Sequence, residues 1–124
     1  MRDYLKAVHE RVVVFDGATG TNLHARELTI DDYGGPQFEG CPEILNVTRP
    51  DVIRDLHASF FDVGCDVVET NSFGSFSTVL VEYGIPERAY ELSHVAAQLA
   101  REVADSYDGE RFVAGSLGPG TKMA

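Results

Sequence analysis

The sequence contains no tryptophan, only two cysteines and half as many basic as acidic residues. Each shortage excludes something. Cys41 and Cys65 form no CxxC pair and have no histidine at ligand spacing. A structural zinc site takes four protein ligands and a catalytic one three, so two isolated cysteines read as free thiols. Ten Lys and Arg against twenty Asp and Glu give a formal net charge of −10. That is the wrong sign for a face that tracks a phosphate backbone, so nucleic acid is not an expected partner. The longest apolar runs span a few residues, Val12–Phe15 among them, too short to cross a membrane. The opening MRDYLKAVHE has no hydrophobic signal core, so no export is implied and a cytoplasmic location is expected. Asn46-Val47-Thr48 fits the glycosylation sequon, which without a secretion signal is read as chance.

What is present is ordinary globular material: 124 residues, 44% hydrophobic and 24% charged, the size of one domain. Asp3–Glu10 predicts a short helix. Arg11–Phe15 is a near-continuous apolar run, expected as a strand buried on both faces. Leu23–Val47 shows no sustained period and is punctuated by Gly34-Gly35-Pro36 and Gly40-Cys41-Pro42, which predicts a long irregular excursion. Thr48 and Asp51 have the spacing of a capping box, with Pro50 tolerated in the first turn. Val52, Leu56, Phe60 and Val63 then recur at helical spacing up to Gly64.

Asp66–Thr70 predicts a second strand and Phe73–Tyr83 a short helix. A longer helix is expected from Pro86 to Tyr107, with Ala89, Leu92, Ala96, Leu99 and Val103 as its apolar stripe. Arg111–Gly115 predicts a third strand, left through Leu117-Gly118-Pro119-Gly120. Alternating strands and helices with branched, buried strands imply an α/β fold with about three parallel strands and covering helices. Three such strands leave bare edges, so part of a larger α/β domain is expected.

The stretch VVVFDGATGT, Val12 to Thr21, admits two functional readings. A dinucleotide fingerprint would need a third glycine near Leu23, a helix opening directly from the turn, and a ribose-binding acid roughly twenty residues on. Here Thr21-Asn22-Leu23-His24 leads into the irregular stretch, and Glu39 falls in loop sequence. Asp16 would also set a fixed negative charge beside the phosphates. The other reading places Asp16 at the end of its strand, with the Gly17 and Ala18 amides bare beside it. A carboxylate next to free amides suits a zwitterion: the acid meets an ammonium and the amides meet a carboxylate. Asp16 merely capping its turn is the alternative, and the residues alone leave both open. Glu69-Thr70-Asn71-Ser72-Phe73 repeats the theme at the second strand's exit, where parallel barrels bind ligands. For Glu69 a purely structural pairing stands beside a ligand role.

FDGATGT, PEILNVTRPDVIRDLH, GCDVVETNSFGS and AGSLGPGTK follow one another from Phe15 to Lys122, within a resemblance that covers essentially residues 5–122. In that order they resemble the homocysteine-binding domain of cobalamin-dependent methionine synthases, and so the homocysteine S-methyltransferases. The resemblance implies the N-terminal part of a (β/α)₈ TIM barrel, an architecture of about 250 residues when whole. Residues 1–124 would then be a partial homocysteine-binding barrel domain. It implies a methyltransferase in which zinc holds the homocysteine sulfur as thiolate, since a free thiol with pKa of about 8.5 is mostly protonated at neutral pH. The methyl group would come from methylcobalamin, recharged from methyltetrahydrofolate.

The resemblance further implies substrate-binding roles for Asp16, Gly17, Ala18, Thr19, Glu69 and Asn71, with Thr19 standing where the family's turn usually carries Met. Its partners would be homocysteine, the rest of the barrel, and folate and cobalamin domains. The family's three zinc cysteines lie on later strands, and neither Cys41 nor Cys65 occupies their positions. No catalytic residue and no metal ligand is therefore expected in this chain, which alone should hold neither zinc nor cobalamin and be inert. The alternative is a small non-catalytic binding or assembly module on a half-barrel, self-associating through open sheet edges.

Overall fold

Asp3 starts the first helix by accepting the Lys6 N–H on its carboxylate at 3.0 Å, and α1 runs Tyr4–Glu10. The structure is a computed structural model that describes residues 2–121. Lys122, the last residue of the AGSLGPGTK stretch, lies outside the described residues.

The apolar run after α1 departs from expectation. Among the described residues the sheet has two strands, β1 (Val67–Glu69) and β2 (Phe112–Ala114), parallel and in the register Val67↔Phe112. The first run joins them only by a parallel bridge from Phe15 to Val67. It is not buried on both faces either: Val14 and Phe15 are exposed, and Val12 is 84% exposed. A side chain stands in for part of the ladder. Asp66 Oδ2 accepts the Val14 N–H at 2.9 Å, and Asp66 Oδ1 accepts from Arg11 Nη1 at 2.8 Å. The Asp16 N–H donates to the Val67 carbonyl at 2.9 Å, which keeps the run alongside β1.

The excursion from Leu23 to Val47 is not irregular throughout. α2 (Thr19–His24) reaches into it, two single 3₁₀ turns follow at Pro36–Phe38 and Pro42–Ile44, and α3 (Leu45–Thr48) closes it. Pieces this short never complete enough turns to display a period. They are nonetheless core: Leu23, Cys41, Ile44 and Leu45 are buried.

The capping box at Thr48 does not form. Thr48 Oγ1 bonds back to the Ile44 carbonyl, Arg49 takes the N-cap position, and Asp51 pairs with Arg49. α4 runs Pro50–Asp62 and buries Val52, Ile53, Leu56, His57 and Phe61. Val63, expected on the stripe, sits past the last helical residue and is exposed.

The predicted helix at Phe73–Tyr83 contracts to α5 (Ser77–Leu80) and a 3₁₀ turn at Val81–Tyr83. α6 (Ala89–Asp105) follows a 3₁₀ turn at Pro86–Arg88 and buries Leu92, Ala96, Leu99 and Val103 as expected, with Ala100 and Ala104 beside them. α4 and α6 pack together through Val52, Ile53, Leu56 and Leu99.

Adjacent strand residues point to opposite faces of the sheet. Val68 therefore meets Phe61, Ala100 and Val103 on the helical side, while Val67 and Phe112 meet Ala7 on the other. Because β1 and β2 are parallel, their exits at Thr70–Ser75 and Gly115–Gly118 leave in one direction, beside Asp16–Gly20. No described helix is long and apolar enough to cross a membrane.

Candidate functional site

At those exits lies a cleft of about 440 Å³, and all six residues expected at a substrate site line it: Asp16, Gly17, Ala18, Thr19, Glu69 and Asn71. α2 opens at Thr19, directly from the glycine turn, so the helix that the dinucleotide reading required and the sequence did not display is present in short form. Its N-cap, Ala18, offers no side-chain acceptor. The position where a third glycine would be needed is Leu23, which is packed into the core.

Asp16 is the electrostatic centre. Its Oδ2 accepts the Glu69 N–H at 3.0 Å, tying the first turn to the end of β1. Its Oδ1 is buried without a hydrogen-bond partner. Burial raises the carboxyl to about 6, and the nearby Glu69 charge works in the same direction against the Glu69 N–H. The turn-capping alternative is thus not its main use: its partner is a strand some fifty residues away. Glu69 contributes its backbone N–H to Asp16, while its exposed side chain borders the cleft.

Asn71 is buried, and its amide nitrogen is spent on the Pro42 carbonyl at 2.8 Å and Asn46 Oδ1 at 3.0 Å. Its side-chain oxygen is the group left to offer a ligand. Among the described residues no Lys or Arg lines the cleft, while Asp16, Glu43 and Glu69 all do. An arrangement rich in acceptors and carboxylates, next to backbone amides at a helix start, is chemically matched to a ligand with an ammonium and a smaller anionic end.

The sequence reading missed Glu43 as a lining residue, while the polar run at Thr70 and Ser72 and the turn at Ser116–Pro119 were expected at this face. Glu43, buried at 8% exposure, enters the cleft from the 3₁₀ turn before α3 and accepts the Gly74 N–H at 2.8 Å. Its only signal is a charge standing immediately before the apolar pair Ile44-Leu45. Thr70 and Ser72 share a hydroxyl contact of 2.6 Å, Ser72 Oγ donates to the Ser116 carbonyl at 2.9 Å, and the Ser116 N–H donates to Thr70 Oγ1 at 3.0 Å. These bonds lock the β1 exit to the β2 exit. Gly118 completes the lip: its N–H donates to the Phe73 carbonyl at 3.0 Å, and a Cβ there would sit 2.4 Å from that oxygen.

The residues present do not fit a zinc ion. Among the described residues no group of three or more His, Cys, Asp or Glu could hold a metal. Cys41 is sealed in the core, its thiol pushed up to about 11 by burial and the neighbouring Glu43 charge. Cys65 precedes β1, at the end of the strand away from the cleft, and both thiols are unpaired.

The sequence pattern of the family described as homocysteine S-methyltransferase matches residues 13–124. The methionine synthase of Mycobacterium tuberculosis is 49% identical over 124 residues, and that of Mycobacterium leprae 48%. Each alignment takes in 98% of this chain and 10% of the relative, so the chain spans about a tenth of their length. The crystal structure of the homocysteine methyltransferase MmuM from Escherichia coli in its metallated form superposes with a TM-score of 0.73 at 25% identity. That alignment covers 90% of this chain and 40% of the other. The oxidized form gives a TM-score of 0.75 over 92% of this chain and 40% of that one.

Proposed function

The chain belongs to the homocysteine S-methyltransferase family, and on that premise we propose that the Asp16 cleft recognises the amino-acid end of homocysteine. The observation that carries this reading is the buried Asp16 Oδ1, an acceptor without a partner in a cleft with no lysine or arginine among the described residues. The homocysteine ammonium donates to that oxygen and to the Asn71 side-chain oxygen. Its carboxylate takes the amides of Gly17, Ala18 and Thr19, where the N–H groups at the start of α2 have no intrahelical partner. Glu69 adds negative charge at the rim and holds Asp16 in place through its backbone.

The reaction proposed for the whole protein is attack of the homocysteine sulfur on a methyl group, forming the S–CH₃ bond of methionine as the donor's bond to that carbon breaks. Methylcobalamin supplied from methyltetrahydrofolate is the donor that the resemblance implies. Residues 1–124 are proposed to be part of the homocysteine-binding barrel, contributing recognition rather than transfer. Since the described residues offer no zinc ligand set, no step through that metal is assigned to them.

The test is calorimetry with homocysteine and with 4-mercaptobutyrate, which keeps the thiol and carboxylate but lacks the amine. The expected result is binding of homocysteine only, abolished in Asp16→Ala. Equal affinity for the two ligands would sink ammonium recognition.

A second reading, an assembly module, draws on the exposed Val12, Val14 and Phe15 beside β1. Unpaired strands with apolar surface are templates for another chain. Mass measurement in solution separates the two readings: a strict monomer at high concentration contradicts edge pairing.

A further inference from the structure

Two buried polar side chains, Glu43 (8% exposed) and Asn46 (1%), stand three residues apart on the consecutive turns Pro42–Ile44 and α3. Both reach the same target, the loop that leaves β1. Glu43 Oε1 accepts the Gly74 N–H at 2.8 Å. Asn46 Nδ2 donates to the Asn71 carbonyl at 2.9 Å and to the Leu92 carbonyl of α6 at 3.4 Å. Asn71 answers through its own amide, bonding Asn46 Oδ1 and the Pro42 carbonyl. The fit is close: a Cβ on Gly74 would lie 2.6 Å from Glu43 Oε1.

The outer side of the same loop is held by the Thr70, Ser72 and Ser116 bonds and by Gly118. Residues 71–74 are therefore fixed from both sides, and the inner fixture is a carboxylate kept from water with no described cation beside it. Burying such a group is unfavourable unless it is used. A surface loop would not require it.

We infer that the PEILN turn, through Glu43 and Asn46, is a positioning clamp for homocysteine recognition: it sets the β1 exit loop so that Asn71 presents its oxygen, not its nitrogen, to the ligand. The inference rests on the reading of the cleft as a homocysteine site. Glu43 lines the cleft, but its role in the clamp is that of a hydrogen-bond acceptor for Gly74, distinct from any pull of its charge on the ligand ammonium. Glutamine keeps the acceptor oxygen and alanine does not, so the two substitutions separate the roles.

The experiment combines amide hydrogen exchange with homocysteine calorimetry on the wild-type chain, Glu43→Gln and Glu43→Ala. Glu43→Gln is expected to keep the Gly74 N–H protected and to hold affinity within about threefold. Glu43→Ala is expected to expose the Gly74 N–H, leave the α4 and α6 amides protected, and weaken binding by about tenfold or more, the scale of one lost hydrogen bond. Wild-type protection at Gly74 in Glu43→Ala overturns the clamp. So does a Glu43→Gln variant that keeps Gly74 protected yet loses homocysteine, because the charge would then be the working feature. Should Glu43→Ala lose its core protection as well, Glu43→Gln decides alone. A wild-type chain that takes no homocysteine defeats the functional reading, while Gly74 exchange still decides the clamp.

Discussion

Asp16 and Glu69 are joined by one hydrogen bond, from the Glu69 N–H to Asp16 Oδ2 at 3.0 Å, and that bond leaves the second Asp16 oxygen buried and unpartnered. The first turn and the end of β1 thereby make one site from segments that the chain separates widely. The same bond lowers the Asp16 carboxyl, but burial and the Glu69 charge prevail and raise it to about 6.

Ligand binding should follow that ionisation. An ammonium is attracted by the ionised carboxyl, so homocysteine affinity is expected to be full above about pH 7 and to fall as the pH drops through about 6. The fall approaches tenfold per pH unit once Asp16 is mostly protonated. Asp16→Asn should bind weakly and lack this step. Calorimetry across pH 5–8 measures both, and an unchanged pH profile in Asp16→Asn would remove Asp16 from the role.

Gly118→Ala tests the lip. The added Cβ would lie 2.4 Å from the Phe73 carbonyl oxygen and 3.0 Å from its ring, and backbone cannot move aside cheaply. A loss of about 1–3 kcal/mol is expected from this overpacking, together with weaker homocysteine binding as Phe73 is displaced. Denaturant titration gives the first quantity and calorimetry the second. Neutral stability would show that the two loops are not in fixed contact.

Asp66 holds the first apolar run. It accepts from Arg11 and from the Val14 N–H, and although burial pushes its carboxyl up, those two partners outweigh it and hold it below the usual carboxylate range. Asp66→Ala leaves the Val14 N–H and the Arg11 guanidinium without that acceptor. About 1.5–3 kcal/mol of destabilisation is expected, the range for hydrogen bonds to a charged group. Because the native carboxyl is lowered, its contribution is present above the ordinary value of 3.8 and is lost as the pH falls further. The deficit of Asp66→Ala should accordingly shrink in acid, which urea melts at pH 7 and pH 3 would reveal.

His57 is 2% exposed on α4 and neither ring nitrogen has a hydrogen-bond partner. Burial lowers it from 6.5 to about 4. A histidine held low contributes stability that is complete above pH 6.5 and is lost as the pH falls through about 4. The total is on the order of 3 kcal/mol, at 1.36 kcal/mol per pKa unit. His57→Leu removes the titration and two unpaired polar atoms, so its melting temperature should stay flatter than the wild type's between pH 7 and pH 4. Parallel curves for the two proteins would exclude His57 as the acid-sensitive group.

Much of the site was legible because it lies at strand exits, where a change from branched apolar to polar residues is local and visible. FDGATG and ETNSF both show that change, and the six residues that the family resemblance assigns within them line the cleft. Glu43 was not legible, because a buried acid's use depends on Gly74, which is distant in sequence. α2 and α3 were missed for a different reason: six and four residues are too few for a period to emerge. The capping box failed because Thr48 still belongs to α3, its hydroxyl donating back to the Ile44 carbonyl, so that Arg49 takes the N-cap position and Asp51 pairs with Arg49.

The sequence by itself determined where α1, α4, α6, β1 and β2 lie, the covering role of α6 and the acidic, amide-rich chemistry of the first turn. Those properties are written in spacing and residue type, which act over a few residues. Tertiary structure alone decided how Asp16 is ionised, which Asn71 atom remains for a ligand, and why the Val12–Phe15 run bridges the sheet without becoming a full strand. Each depends on a partner far along the chain: Glu69 for Asp16, Asn46 and Pro42 for Asn71, and Asp66 for Val14. Burial and hydrogen bonding between distant segments exist only once the helices have packed, so no local pattern could have announced them.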